Sequence, residues 1–318
     1  MKKFAWALSC VAVTACGGGS GGGSGGVPVV TGAATTPTPA PTPSSGPSPA
    51  PSPSPSSPPT YATAFDFASD RSFLAFGSEL RSLSRPGAPA ELNLRLLASD
   101  NQATFAYADA TQSLNINFDR DAWAYAGGDN HSRSDQHLYW YSQPRQSSVR
   151  IVRPAPAYAY VLLARQDIER RTANGATEKV DRLAVFGVPT LAADLPTTGT
   201  VSYPVVLTST PPTPQDIGGF YATGSLRIDY ATGRVTGDLA AVESTTNGRT
   251  PLRATLTFSG AVAPATGLMK GTIDSADGGF SGNFDGRAFG PRAVEAGAAF
   301  TLTRADGTRV AGAVVGRR

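Results

Sequence analysis

The two histidines of the chain, His131 and His137, stand six residues apart in a polar stretch, Gly127 to Trp140, that reads as a loop. On a loop, that spacing brings two imidazoles within reach of one metal or one haem iron. No third ligand accompanies them, and solvated loop histidines are the competing reading. Four aromatic residues flank the pair: Trp123, Tyr125, Trp140 and Tyr141. Aromatic side chains set among polar ones make good binding anchors. Core packing is the alternative for each. The chain carries no G-x-S-x-G elbow, no H-E-x-x-H pair, no phosphate-binding glycine loop and no EF-hand spacing. Serine, histidine and aspartate are present, but nothing arranges them as a hydrolase. The lack of a catalytic constellation counts against an enzyme, and no resident cofactor is expected.

The cysteines carry different chemistry. Lys2 and Lys3 precede an apolar run from Phe4 to Val13, followed by Thr14, Ala15 and Cys16. A short basic stretch, a short apolar stretch and small residues make an export signal. The run is too short to span a bilayer, which needs about 20 residues. Val13-Thr14-Ala15-Cys16 resembles the bacterial lipobox, whose cysteine receives a diacylglyceryl group and becomes the first mature residue. That resemblance implies a signal peptide over 1–15 and a lipid attached to Cys16. Gly17 in second place is similar to the outer-membrane sorting pattern. Cys10 would leave with the signal, so the mature chain has no thiol for a disulfide or a metal site.

Gly17 to Gly26 reads GGGSGGGSGG, a flexible coil. Pro37 to Pro59 is rich in proline, serine and threonine, which favours extended polyproline II and a reach of roughly 70 Å at about 3.1 Å per residue. Residues 16–60 are thus expected to be a disordered tether. Such a tether suits display beyond the outer membrane, or a spacer facing the periplasm. The chain has 27 basic and 24 acidic residues. Removing Lys2 and Lys3 leaves a net charge of +1, which argues against nucleic acid as a partner.

These side chains must be positioned by strands. Leu226, Ile228 and Tyr230 alternate with Ser225, Arg227 and Asp229. Val235, Gly237, Leu239 and Ala241 share one face, as do Leu252, Ala254, Leu256 and Phe258, and Phe280, Gly282, Phe284 and Gly286. Period two with a polar opposite face predicts antiparallel sheet. Eight strands are expected, starting near Thr200, Phe220, Arg234, Leu252, Leu268, Gly279, Val294 and Thr308. Turn signals recur at Asn247-Gly248, Ala265-Thr266-Gly267, Asp277-Gly278-Gly279, Gly290-Pro291 and Asp306-Gly307, and Pro211 to Pro214 marks a loop. Eight short strands close into an up-and-down barrel whose interior is filled by side chains. Upstream, Leu114 to Phe118, Val149 to Val152 and Ala157 to Val161 also alternate like strands. The expected fold is all-β.

Ala288 to Phe300 (AFGPRAVEAGAAF) resembles the F-(F/Y)-G-P-x-A-x-E-x-G-G-x-F signature of transferrin-binding protein B barrels. Leu195 to Tyr203 is similar to the LPTTGTATY opening of that barrel, and Val315 to Arg318 to its FGxxR ending. Ala298 departs from the pattern, where a second glycine is usual. Gly290, Pro291, Glu295 and Gly297 fall on signature positions and are expected to be structural. The resemblance implies a barrel over 198–318 preceded by a smaller β-rich handle domain over 61–197. It further implies a surface lipoprotein that captures an iron-carrier protein, a haem protein or haem. Cargo would pass to a TonB-dependent receptor, and a surface-lipoprotein translocator would place the protein outside. A structural or adhesive envelope lipoprotein, and less readily a periplasmic hydrolase, are the alternatives.

Overall fold

Alternation along the strands builds nearly everything in the molecule. The computed structural model describes residues 60–97, 103–119, 121–128, 131–142, 146–172, 174–211, 219–244 and 250–318. The signal peptide, Cys16, the tether up to residue 59, the Asn247-Gly248 turn and most of the Pro211–Pro214 loop lie outside the described residues. The described part is all-β, with short 3-10 turns at Ala192–Asp194 and Pro291–Ala293.

The first ten strands are β1 (Arg71–Ser84), β2 (Glu91–Leu97), β3 (Ala103–Ala108), β4 (Ser113–Phe118), β5 (Asp121–Tyr125), β6 (His131–Arg133), β7 (His137–Tyr141), β8 (Ser147–Val152), β9 (Val161–Arg171) and β10 (Thr177–Gly187). They form one sheet in the order β5-β4-β3-β1-β10-β9-β8-β7-β6, with β2 also pairing β1. β1 serves three partners: its first four residues pair with β3, and its remainder with β2 and β10. The sheet rolls up around its own core. Tyr125 on edge strand β5 bonds through its hydroxyl to Ser147 of β8 and receives a 2.7 Å bond from Gln166 of β9. Trp140 on β7 donates its indole N–H to the Gln112 carbonyl before β4, at 3.0 Å. Phe105 and Phe186 stack at 4.4 Å in the enclosed core.

Strands β11 (Thr200–Ser209), β12 (Phe220–Asp229), β13 (Arg234–Glu243), β14 (Arg253–Val262), β15 (Leu268–Ser275), β16 (Phe280–Phe289), β17 (Glu295–Arg304) and β18 (Arg309–Arg317) close into an antiparallel barrel, with β11 pairing β18. Each strand begins within one residue of its sequence expectation. Leu226, Ile228, Val235, Leu239, Leu256, Phe258, Phe280 and Phe284 all point inward. The interior is a packed core, as the bulk of these side chains requires in eight strands.

Two expectations are corrected. The histidine stretch is not a loop: His131 and His137 lie on paired strands β6 and β7, where His131 faces Trp140 and Arg133 faces Leu138. A polar edge hairpin has the composition of a loop, because one rim of its backbone meets no further strand. Ala157 to Val161 is not a strand either, and only Val161 begins one. The backbone N–H groups of Ala159, Tyr160 and Val161 all donate to the Glu295 carboxylate, at 2.8, 2.9 and 2.8 Å.

That contact joins sheet to barrel. Val161, Leu163, Leu183 and Val185 of the sheet pack on Phe289, Ala311, Ala313 and Val315 of the barrel in one buried cluster. Ser78 donates to the Gly312 carbonyl at 2.9 Å, and Arg317 to the Ala157 carbonyl. Gly290, at φ +70°, lies against Tyr160, where an added Cβ would come within 2.3 Å of the ring. A Cβ on Gly297 would meet Val185 at 2.5 Å. Pro291 opens the 3-10 turn that leads into β17. These side chains therefore act in the joint between the two halves.

Candidate functional site

The rolled sheet places charges where alternation alone would put apolar groups. Glu79 of β1 and Arg182 of β10 are buried opposite one another in register, with Arg182 Nε donating to Glu79 Oε2 at 2.7 Å. Arg182 spends the rest of its fork on Gln166 Oε1, at 3.0 Å, and Asp121 Oδ2, at 2.5 Å. A buried guanidinium needs such complete pairing. Its plane lies over the Phe118 ring, 4.9 Å from the centroid.

Three further arginines stand around this pair. Arg81 donates to Glu178 at 2.6 Å, Arg95 of β2 to Asp119 at 2.8 Å, and Arg170 of β9 to Asp121 at 3.3 Å. Burial works against the charge of Arg81, but Glu79 and Glu178 outweigh it and raise its pKa. Burial likewise opposes the Asp121 carboxylate, but Arg182 and Arg170 hold its pKa below the usual aspartate range. Arg81, Arg95, Phe118, Asp119, Asp121, Arg170 and Arg182 line a cleft of about 440 Å³. That volume lies within the range of small-ligand sites.

The aromatic residues singled out from sequence adjoin this cluster unequally. Trp123 is half-buried beneath Arg170, whose guanidinium carbon sits 4.9 Å from the ring centroid, and its indole donates to Asp121 at 3.2 Å. Tyr125 and Trp140 are fully buried and serve the sheet core, so neither offers a contact surface. Tyr141 is half-buried and packs edge-on against Tyr139 at 4.3 Å. His137 is exposed. His131 lies 4.8 Å from the Trp140 ring, and its Nε2 is buried without a hydrogen-bond partner. Burial, and then Arg133, push this imidazole down, so it is neutral near pH 7. Among the described residues no group of three or more His, Cys, Asp or Glu side chains is placed to hold a metal ion.

The arginine cluster was not anticipated from sequence. Its members come from five strands and one turn, and Glu79 and Arg182 are 103 residues apart. The signal present was charge at inward-facing positions of otherwise apolar strands.

No family model matches the chain, and no curated protein matches it. Among solved structures the chain is similar to transferrin binding protein B from Haemophilus parasuis Hp5, with 13% identity and a TM-score of 0.39, over 76% of this chain and 44% of that one. It is similar to the isotype 1 transferrin binding protein B from serogroup B Neisseria meningitidis, with 11% identity and a TM-score of 0.40, over 76% and 43%. It is also similar to the haemoglobin receptor HpuA from Kingella denitrificans, with 13% identity and a TM-score of 0.38, over 81% and 89%. The match spans less than half the length of the two transferrin-binding proteins.

Proposed function

We propose that the chain is a lipid-anchored binding protein, displayed on the outer membrane and capturing an iron source for a partner receptor. The observation that supports this most is the place of the Ala288–Phe300 segment. The residues that resemble the transferrin-binding protein B signature build the joint between barrel and rolled sheet, with Glu295 at its centre. Glu295, which the resemblance implies is structural, is satisfied there by three backbone N–H groups. The lipobox-like Val13-Thr14-Ala15-Cys16 and the long proline-rich tether supply export, anchoring and reach. In this reading residues 1–15 are the signal, 16–60 the tether, 61–197 the handle and 198–318 the barrel. A TonB-dependent receptor and a surface-lipoprotein translocator are the membrane partners.

The candidate cargo contacts are Trp123 on β5 and His137 and Tyr141 on β7. Of the set read from sequence, His137 is exposed and Trp123, His131 and Tyr141 are half-buried, His131 with its Nε2 enclosed. Rigid strands support them, which suits recognition. The full chain, purified from membranes in mild detergent, should be titrated with haem and passed over immobilised iron-carrier proteins. Retention of at least one, weakened by Trp123→Ala or Tyr141→Ala, is expected. Absence of binding to every iron source, together with a hydrolase activity lost in His137→Ala, would overturn the assignment.

The anchor has its own test. Cys16→Ser should abolish labelling by a clickable palmitate analogue and release the protein from the membrane fraction. Persistent labelling of that variant would refute lipid attachment at Cys16.

A further inference from the structure

We propose that the arginine cleft of the rolled sheet is a binding site for a small ligand carrying two or more oxyanion groups, carboxylate or phosphate. The inference stands on the cleft alone and does not require the iron-source reading. Four guanidinium groups line it, from β1, β2, β9 and β10, against the carboxylates of Asp119, in the turn after β4, and Asp121, which opens β5. Glu79 and Glu178 stand behind them, paired with Arg182 and Arg81, so the charges balance locally and what the cleft offers an anion is N–H donors rather than net charge.

The floor and the rim of this cleft differ in what they can still do. Arg182 at the floor is committed to Glu79, Gln166 and Asp121. The rim arginines differ: Arg81 lies 2.6 Å from Glu178, 3.5 Å from Glu79 and 3.9 Å from Asp121, and Arg170 lies 3.3 Å from Asp121 and 3.5 Å from Glu178, whereas Arg95 pairs closely with Asp119 alone. Each guanidinium has five N–H donors, yet among the described residues Arg95 makes one hydrogen bond, to Asp119, and Arg81 makes one, to Glu178. Glu79 Oε1 lies 3.5 Å from Arg81 Nε and 4.0 Å from Arg95 Nη1, but it is buried and accepts no hydrogen bond from either. Glu79 thus holds both cations near the cleft, Arg81 more closely than Arg95. Planar forks with spare N–H groups match the two oxygens of a carboxylate or phosphate.

Asp119 is the group a ligand would displace. The Arg95–Asp119 pair is open to water, with the two side chains 42% and 37% exposed, so it is held weakly. Asp119 also sits in the left-handed backbone region, at φ 56°, in the turn before β5. A ligand oxyanion that takes its place gains Arg95 and Arg81 together.

Two probes separate the two ligand chemistries: citrate for polycarboxylates and inorganic pyrophosphate for linked phosphates. Each should be titrated calorimetrically into the full chain at low ionic strength. Saturable binding of one is expected, weakened about tenfold or more in Arg95→Ala, as loss of a bidentate charge-assisted contact implies. Asp119→Asn should strengthen the same binding severalfold, because it removes the competing charge while asparagine tolerates the left-handed turn. Both sites are partly exposed, and circular dichroism would confirm that each variant remains folded. No saturable binding of either probe, or affinities unchanged in both variants, would overturn the proposal. Neither outcome touches the iron-source titration, which reads a different ligand.

Discussion

Glu295→Ala is expected to be among the most damaging single substitutions in the protein, lowering stability by about 4 kcal/mol. Glu295 is fully buried, and its two carboxylate oxygens accept the N–H groups of Ala159, Tyr160 and Val161. Alanine leaves those donors without a partner in the joint between sheet and barrel. Each buried donor left unsatisfied costs roughly 1–3 kcal/mol, partly relieved by water entering the gap. Burial pushes the carboxyl up, and the three N–H groups and Arg317 pull it down without cancelling the burial. Holding a charge here is therefore uphill, and Glu295→Gln, which keeps an acceptor without the charge, should cost about half as much as alanine. Guanidinium denaturation measures both. Hydrogen exchange should show the amides of residues 159–161 losing protection first in the alanine variant. A loss below about 1 kcal/mol, with those amides still protected, would mean that the joint is held by apolar contact alone.

The barrel was legible in sequence where one face of a strand meets solvent. Ser225–Tyr230 and Leu252–Phe258 alternate because only their inward side chains are buried. The joint was less legible, because strands covered on both faces lose that rhythm. In β17 and β18, Ala296 to Ala299 and Val310 to Val315 are buried without interruption. Val161 to Ala164 and Leu183 to Phe186 of the sheet behave likewise. The paired runs of small and branched residues were the trace of that contact. Tyr158 and Tyr160 imitated a strand because alternate tyrosines fill the joint while their segment's N–H groups go to Glu295. Tyr125 and Trp140 carried two readings in sequence, binding anchor and core, and the rolling that decides for core is a property of the whole sheet. The arginine cleft was hidden for the same reason. Nothing local marks Arg81, Arg95, Arg170 and Arg182, and it takes the pairing of β1 with β2 and β10, and of β10 with β9, to bring them to one place.

Phe284→Ala should cost about 4 kcal/mol by truncating a ring in a closed interior. Phe284 is buried on β16, with its ring 5.3 Å from that of Phe258. Beneath it Gly260 of β14 and Gly271 of β15 stand opposite each other in register. A Cβ on either glycine would come within 2.8 Å of the ring, so the phenylalanine occupies the space those two residues leave empty. An open sheet can close over such a void by shifting a strand. In a closed barrel every strand is bonded to a neighbour on both sides, so the walls cannot move in without breaking ladder hydrogen bonds. The cavity should therefore persist and contribute its full penalty. Tyr221 on β12 provides the contrast: its side chain is 61% exposed on the outer surface, and Tyr221→Ala should change stability by no more than about 0.5 kcal/mol. Urea denaturation of the two variants decides the point. Equal and small effects would show that Phe284 does not fill the barrel core, and the closed packing described for β14, β15 and β16 would have to be abandoned.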